Sequence, residues 1–294
     1  MAFLERLKHS VKAVLQTTGG PSTFTLQSQL QLELSRELSR LRQDVQATMP
    51  GNPAGHGYKV YSQADEDGIL AHILARLGLA TGSFAEIGCG DGRENNTHFL
   101  LLNGWRGIWI DGDHGNIEAI RAALPASSRL QVVQAYVTQA NIRQLLQSAV
   151  TAFGSIEVQS IDVDGNDLPL AQAAVEAVSP RVLVVEYNAK FPYPTDVGVA
   201  YDPDHRWQTD DYHGASLGAC VAGLAPDYRL VSCNLAGTNA FFVRREDAHL
   251  FGNNAPEVIY QPARFHLTAL QAGHRPTLKF LAAMLARESA GNRS

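Results

Sequence analysis

The feature that most constrains the fold is an alternation of short apolar runs with amphipathic segments between residues 58 and 245. Helical patterns alternate with apolar runs that predict strands at 83–87, 107–110, 130–135, 158–163 and 182–186. Such alternation indicates a mainly parallel sheet covered by helices on both faces. Two further runs, at 229–233 and 240–244, are joined by a short loop and predict a C-terminal antiparallel hairpin. We therefore expect a Rossmann-like α/β fold closed by a hairpin and preceded by N-terminal helices.

Helical patterns flank this region. Residues 1–16 form a basic amphipathic pattern that suits a membrane surface, although packing on protein is the better interpretation. Residues 24–49 carry apolar positions spaced by threes and fours, which predict either a short coiled coil joining copies of the chain or packing within it. Prolines and glycines at 50–55 indicate a boundary. We thus expect a helical segment at 1–50, a main domain at 51–250 and a helical extension at 251–294.

The composition excludes several classes of protein. The 294 residues have a net charge of −5, which disfavours a nucleic-acid partner. The three cysteines lack the spacing of a zinc site, and a reducing compartment is the simplest setting for them. No apolar run approaches the roughly 20 residues that cross a membrane. We expect a cytoplasmic protein, with peripheral membrane contact through residues 1–16 as an open alternative.

A glycine-rich loop follows the first predicted strand, where residues 86–92 read EIGCGDG. Glycine lets the backbone turn tightly and approach a ligand closely. The spacing of Gly88, Gly90 and Gly92 departs from the dinucleotide fingerprint, because Arg93 stands where that pattern has its last glycine. The loop predicts a ligand close to the backbone, and the hairpin favours a methyltransferase layout over a nicotinamide-binding one.

Acidic and aromatic residues near this loop suit S-adenosylmethionine. Asp111 ends the second strand, where a carboxylate can accept hydrogen bonds from both ribose hydroxyls; Asp113 is a second candidate. Glu86 could attract the amino group of the methionine moiety. Ala135 and Tyr136 follow the third strand and are expected to flank the adenine.

Further acids follow the fourth and fifth strands. Asp162 and Asp164 alternate in sequence, so on a strand both would face one side, and Glu186 and Asn188 are placed similarly. These four residues predict a site for a divalent cation, most plausibly Mg²⁺. A metal-free site, with one Asp as general base, is equally compatible. Asp162, Asp164 and His213 are the candidate catalytic residues, since an imidazole suits proton transfer near neutrality.

Several of these motifs together resemble the FkbM-like group of methyltransferases. They read YSQADEDG at 61–68, EIGCGDG at 86–92, IDVDGND at 161–167 and VEYN at 185–188, and the resemblance spans roughly 58–245. It implies O-methylation of a hydroxyl, often on a sugar or natural product, and closure of Ser62 and Gln63 over the cofactor. The common family form has Glu where this chain has Asp164, and Asn166 and Asp167 also depart from it, which suggests a distinct subgroup with a distinct substrate. The acids also resemble those of metal-dependent O-methyltransferases.

The sequence therefore predicts an S-adenosylmethionine-dependent O-methyltransferase that acts on a hydroxyl of a sugar, glycan or glycosylated natural product, with or without a metal. A nicotinamide-dependent sugar-modifying enzyme is one alternative, although no Tyr-x-x-x-Lys dyad is convincingly placed. A non-catalytic scaffold that retains the fold is another, and the cluster of acids in a cleft argues against it.

Overall fold

The computed structural model of the chain describes residues 23–291, so the predictions for residues 1–16 lie outside the described part. Within it, a single sheet of seven strands has the order β3-β2-β1-β4-β5-β7-β6. The first five strands are parallel, and β7 is antiparallel to both β5 and β6. This order confirms the Rossmann-like fold with an antiparallel end. The strands are β1 (Ser83–Ile87), β2 (Arg106–Asp111), β3 (Leu130–Gln134), β4 (Val158–Ile161), β5 (Val182–Glu186), β6 (Tyr228–Cys233) and β7 (Asn239–Arg244).

Helices connect the strands and flank the sheet. All residues of β1 and β4 are buried, so both faces of the central strands are covered. The helices are α1 (Thr23–Thr48), α2 (Glu66–Arg76), α3 (His98–Leu102), α4 (His114–Ala123), α5 (Ile142–Phe153), α6 (Asp167–Val178), α7 (Leu217–Leu224), α8 (Pro256–Ile259) and α9 (Lys279–Gly291). Short 3₁₀ turns lie at Pro53–His56, Arg245–Leu250 and Phe265–Ala269. No helix among residues 23–291 combines the length and apolarity that crossing a membrane requires.

The apolar stripe of α1 packs against the chain itself. Leu34, Leu38, Leu41 and Val45 are buried in the same core as the sheet. Residues 52–55, in the predicted boundary, are buried too. The structure thus uses the stripe within one chain, and an assembly of copies through residues 24–49 stays a prediction.

The end of β4 differs from the prediction. The strand ends at Ile161, and Asp164 has a φ of +56° in the turn that follows. Asp162 and Asp164 therefore do not alternate along a strand, and that expectation is wrong. The physical reason is Asp167, whose carboxylate accepts hydrogen bonds from the backbone N–H groups of Val163 (2.7 Å) and Gly165 (2.8 Å) and so closes the turn.

Candidate functional site

The glycine loop is wedged between the ends of two strands. Gly88 has a φ of +84°, and its N–H donates to the carbonyl of Ile110 at 2.8 Å. A Cβ atom at this position would lie 1.7 Å from the carbonyl oxygen of Asp162. Only glycine fits between β2 and the residues after β4, so this position fixes the loop against the acidic side of the site.

Gly90 lies in a different setting. Its φ is +56°, and a Cβ atom there would meet no other atom within 4 Å. Its N–H donates to Oδ2 of Asp111 at 2.8 Å. Gly92, by contrast, has a φ of +75° and packs on Trp109, 2.9 Å from where its Cβ would be. Of the three glycines, Gly90 is therefore the one that borders open space, where a ligand can approach the backbone.

Asp111 stands at the tip of β2, as predicted. Besides the bond to Gly90, its Oδ1 accepts from the backbone N–H of Asp113 (2.8 Å) and from Nδ2 of Asn116 (3.3 Å). Asp113 caps α4, since its side chain accepts from the backbone N–H of Asn116 at 2.8 Å. Asp111 is thus held in one orientation with one acceptor site still free on Oδ2, whereas Asp113 has a structural role.

Glu86 is buried and engaged by its own chain. Its carboxylate accepts from Nδ2 of Asn95 (2.9 Å), from the backbone N–H groups of Asn96 (2.8 Å) and Thr97 (3.0 Å), and from the hydroxyl of Thr97. Burial raises the pKa of Glu86 to about 7, and these donors oppose that rise. Glu86 therefore holds the loop at residues 95–97, a role different from the predicted contact with an amino group.

The segment that contains Ser62 and Gln63 is held by a third carboxylate. Oδ2 of Asp67 accepts from the backbone N–H groups of residues 60, 61 and 62 and from the hydroxyl of Ser62, at 2.7–2.9 Å. Ser62 is buried, whereas Gln63 is exposed. The predicted contact of these two residues with a cofactor stays a prediction.

The same segment lies beside the glycine loop through an aromatic stack. The ring of Tyr61 is parallel to that of His98, with centroids 3.7 Å apart. Nδ1 of His98 lies 2.7 Å from the carbonyl oxygen of Gly92. Burial lowers the pKa of His98 to about 4, so the neutral ring donates Nδ1–H to that carbonyl. The segment that contains Ser62 and Gln63 is therefore linked to the glycine loop through Tyr61 and His98.

Tyr136 meets a segment that arrives from after β5. Its hydroxyl donates to the carbonyl of His205 at 2.5 Å, and the guanidinium of Arg206 lies 3.6 Å from the centroid of its ring. The backbone N–H of Gln139 donates to the hydroxyl of Tyr201 at 3.0 Å. We name residues 201–206 the crossing segment. It covers Tyr136, one of the two residues expected to flank adenine; the other, Ala135, is half-buried.

The crossing segment is also tied to the loop after β4. Nδ2 of Asn166 donates to the carbonyl of Asp202 at 2.7 Å, and the backbone N–H of Asp202 donates back to Oδ1 at 3.3 Å. The ring of His205 lies against Gly165 so closely that a Cβ there would be 2.2 Å from it. Because β2 and β1 lie between β3 and β4 in the sheet, the segment crosses the edge that carries Asp111 and the glycine loop.

Three carboxylates meet at the ends of β4 and β5. Asp162, Asp167 and Glu186 each offer an oxygen atom, and these atoms lie within 4.8 Å of one another. Burial raises the pKa of Asp162 and of Glu186 well above the usual range, and each is raised further by the negative charge of neighbouring carboxylates. Burial also raises the pKa of Asp167 to about 6. The group is costly unless a proton or a cation is shared.

The membership of this group differs from the predicted ligand set, which stays a prediction. Asp162 and Glu186 are in it, whereas Asp164 lies in the turn and Asn188 is engaged elsewhere. Nδ2 of Asn188 donates to the carbonyls of residues 211 and 213, both at 3.0 Å. Asp167 takes part instead. The sequence analysis missed Asp167 because an acid at a helix start has an ordinary capping explanation, although the motif IDVDGND places it beside the predicted acids.

Asn239 lies beside this group of acids. It pairs with Glu186 across the antiparallel strands β5 and β7. Oδ1 of Asn239 and Oε2 of Glu186 are both shielded from solvent, and among the described residues neither has a hydrogen-bond partner. In the sequence Asn239 directly precedes the last predicted strand, and its position there makes it a candidate contact for the substrate.

His213 lies on the segment that leads into α7, near the acids. Its ring centroid is 5.7 Å from that of Trp207, and the residue is half-buried. Burial lowers the pKa of His213 below its ordinary value of 6.5, while the charge of Asp164 opposes the shift. A neutral imidazole at this place can accept a proton, which agrees with the predicted type of residue for a base.

The sequence matches no protein-family model and no curated protein. Solved structures similar to this chain include a short-chain dehydrogenase/reductase from Brucella melitensis, with 21% identity over 27% of this chain and 33% of that chain and a TM-score of 0.24. They also include an S-adenosylmethionine-dependent methyltransferase from Mesorhizobium loti, with 13% identity over 59% of this chain and 96% of that chain and a TM-score of 0.38. A TehB-like S-adenosylmethionine-dependent methyltransferase from Corynebacterium glutamicum has 15% identity over 66% of this chain and 93% of that chain and a TM-score of 0.36.

The chain spans about a third of the length of the dehydrogenase. The strand order and the glycine loop define a Rossmann-like α/β protein with an antiparallel end, the layout predicted from the sequence. The FkbM-like resemblance stays a prediction, because no family model matches. At these levels of identity and overlap, the activity has to be inferred from the residues of the site.

Proposed function

We propose that the protein is a methyltransferase that uses S-adenosylmethionine as its methyl donor. The observation that carries the proposal is the open space over Gly90, whose N–H is held by Asp111 at the tip of β2. A donor nucleoside placed there would have the glycine backbone on one side and a fixed carboxylate for its ribose. Tyr136, on the loop after β3, and the crossing segment, which follows β5, suit an adenine at the same edge.

The charge around this space also favours the donor. When bound, S-adenosylmethionine supplies a methyl group on a positively charged sulfur, and an acceptor atom displaces that sulfur as a neutral thioether. Asp162, Asp167 and Glu186 lie beyond Gly88, which touches the backbone of Asp162. Their negative potential favours a cationic ligand over the neutral product that is left after transfer.

The acceptor, in this proposal, is a hydroxyl of a sugar, glycan or glycosylated natural product. Such a hydroxyl has to lose its proton, and His213 is the residue we assign to accept it, because burial keeps its imidazole neutral near pH 7. Asp162 and Asp164 would orient the acceptor beside it. A divalent cation at the acids would further favour loss of this proton. We also propose a cytoplasmic location and assembly of copies through residues 24–49.

Calorimetry provides the direct test of donor binding. We expect the full chain to bind S-adenosylmethionine and to bind NAD at least tenfold more weakly. Asp111→Asn should weaken donor binding at least tenfold, because a hydrogen bond to a charged group contributes about 1.5–3 kcal/mol. Asp113→Asn is the matched control: it changes a neighbouring acid whose role is to cap α4, and asparagine caps equally well. Tight binding of NAD without binding of S-adenosylmethionine would refute the proposal.

Identification of the acceptor calls for a second experiment. Labelled donor should be incubated with panels of free sugars, oligosaccharides and glycosylated small molecules, and transfer should be counted. We expect label on a hydroxyl oxygen, stable to base. Label on nitrogen would reject the hydroxyl assignment while leaving methyl transfer in place.

A further inference from the structure

Two buried acceptor atoms lie side by side without a donor. Oε2 of Glu186 and Oδ1 of Asn239 are shielded from solvent and accept no hydrogen bond from any residue between 23 and 291. Glu186 and Asn239 are direct partners in the antiparallel pair of β5 and β7, so their side chains leave the sheet on the same face, with Cβ atoms about 5 Å apart. An unpaired buried acceptor costs about 1–3 kcal/mol, and a cation bound by both atoms would remove this cost.

The orientation of the Asn239 amide is set by its neighbours. Its Nδ2 donates to Oε1 of Glu66 at 3.1 Å, and Asn239 is only 3% exposed. Glu66 is itself held by Nδ2 of Asn234 (2.7 Å) and by the backbone N–H of Ala64 (2.7 Å). Rotating the amide would place Oδ1 against a carboxylate, which is unfavourable. Oδ1 of Asn239 therefore points away from Glu66 as a pre-oriented acceptor.

The surrounding charge is uniformly negative. Asp162 and Asp167 bring oxygen atoms within 4.8 Å of an oxygen of Glu186, and Asp162 also feels the charges of Glu66 and Glu86. None of the ion pairs formed by the described residues includes Asp162, Asp167 or Glu186. Asp167 is buried and Asp162 and Glu186 are partly exposed, so carboxylates crowded here without a basic partner favour another source of positive charge.

We propose that Asp162, Asp167, Glu186 and Oδ1 of Asn239 bind a divalent cation. All four ligands are oxygen atoms, which hard ions such as Mg²⁺, Mn²⁺ and Ca²⁺ prefer, and no cysteine or histidine belongs to the group. Ligands at about 2.0–2.6 Å from one ion lie roughly 3 to 5 Å from each other, which the observed 4.8 Å limit matches. The unpaired amide oxygen beside Glu186 is an observation independent of the acidic cluster. The site deepens the proposed function, on which its use in catalysis rests.

Titration with Mn²⁺, with the free ion counted by electron paramagnetic resonance, tests the site without any acceptor. We expect the full-length protein to bind one Mn²⁺ that excess Mg²⁺ displaces, and its melting temperature to rise with added Mn²⁺. Glu186→Gln and Asn239→Leu should each weaken binding at least tenfold. Asp211→Asn is the control, because Asp211 is an exposed acid paired with Lys190 outside the group, and its affinity should stay within threefold.

The possible outcomes separate this inference from the proposed function. Folded wild-type protein that binds no Mn²⁺ at millimolar concentration overturns the cation site, and so does binding that both variants retain. Should Asn239→Leu fail to fold, Glu186→Gln and the wild-type titration still decide. Binding of S-adenosylmethionine without Mn²⁺ refutes the site alone, whereas binding of Mn²⁺ without S-adenosylmethionine supports the site and refutes the methyl donor.

Discussion

The two halves of the cleft satisfy their acids in opposite ways. At the ends of β1 and β2, the carboxylates of Glu86 and Asp111 accept hydrogen bonds from the loops that follow them. At the ends of β4 and β5, the carboxylates of Asp162 and Glu186 face each other and further acids, and Oε2 of Glu186 has no donor among the described residues. We call these the satisfied half and the unsatisfied half.

The difference teaches where each half obtains its stability. The satisfied half is organised by its own chain and is ready for a ligand before one arrives. The unsatisfied half carries a cost in free energy that a ligand can remove. Substitutions in the first should therefore destabilise the protein, whereas removal of charge from the second should stabilise it and impair binding.

The largest effect is expected at the glycine that joins the two halves. Gly88→Ala puts a Cβ atom 1.7 Å from the backbone oxygen of Asp162 at a φ of +84°, so we expect a loss of about 4 kcal/mol or more, or failure to fold. Gly90→Ala is the matched variant: its Cβ meets open space, so only the strain of about 1 kcal/mol applies. Chemical denaturation measures both. Equal losses would show that the close approach at Gly88 is not the cause.

Paired glutamate variants test the contrast itself. In Glu86→Gln one of the two acceptor oxygens becomes an amide group that donates, although four donors surround this side chain. Because donors then face a donor, the free energy of unfolding should fall by about 2–3 kcal/mol. Glu186→Gln removes a charge from among like charges and should raise the melting temperature in metal-free buffer. Both are measured by thermal and urea unfolding with chelator present. A change of the same sign in both variants contradicts the division into two halves.

The pH profile of methyl transfer probes the unsatisfied half. His213 must be neutral to accept a proton in the proposed transfer, and burial lowers its pKa, so the acid limb of kcat/KM should have its midpoint below pH 6.5. Asp164 favours the charged imidazole, so Asp164→Asn should move the acid limb to still lower pH. A His213→Gln variant that keeps the same acid limb would exclude His213 as its source.

The smallest effect is expected where the crossing segment meets the satisfied half. Arg206→Ala removes a guanidinium that lies 3.6 Å from the ring centroid of Tyr136, a contact worth about 0.5–1 kcal/mol at an exposed site. Donor affinity should fall about two- to fivefold with kcat little changed. Arg206→Lys keeps the charge and should lose less. An unchanged affinity in both variants would separate the crossing segment from donor binding.

Much of the fold was predictable because each strand is a short apolar run with clear ends. The bounds of β1 and β5 agree with the prediction, since residues around them change abruptly from polar to apolar. β4 was predicted two residues too long, because Val163 continues the apolar pattern beyond Ile161. The turn after β4 depends on a hydrogen bond from the backbone N–H of Val163 to the carboxylate of Asp167. The alternation of side chains that predicts a strand does not indicate such a contact.

The site was predicted in part. Gly90 and Asp111 could be predicted as site residues because they lie at the carboxyl ends of strands, where open α/β sheets bind ligands. The roles of Glu86 and Asn239 depend on contacts formed only in the folded chain: Glu86 binds residues 95–97, and Asn239 is brought beside Glu186 by strand pairing. The same residue type can thus be a ligand or a structural acceptor, depending on whether the folded chain places a hydrogen-bond donor beside it.

The crossing segment sets conditions on turnover. It is bonded to Tyr136 after β3 and to Asn166 after β4, on either side of the strands that carry the glycine loop. In the proposed function, a nucleoside bound over Gly90 would lie beneath this segment, and we expect its exchange with solvent to require these bonds to break. Each cycle of the proposed methyl transfer would then include such an opening, so we expect the donor to enter before the acceptor and the spent donor to leave last. Release of that product, rather than the chemical step, would then be rate-limiting.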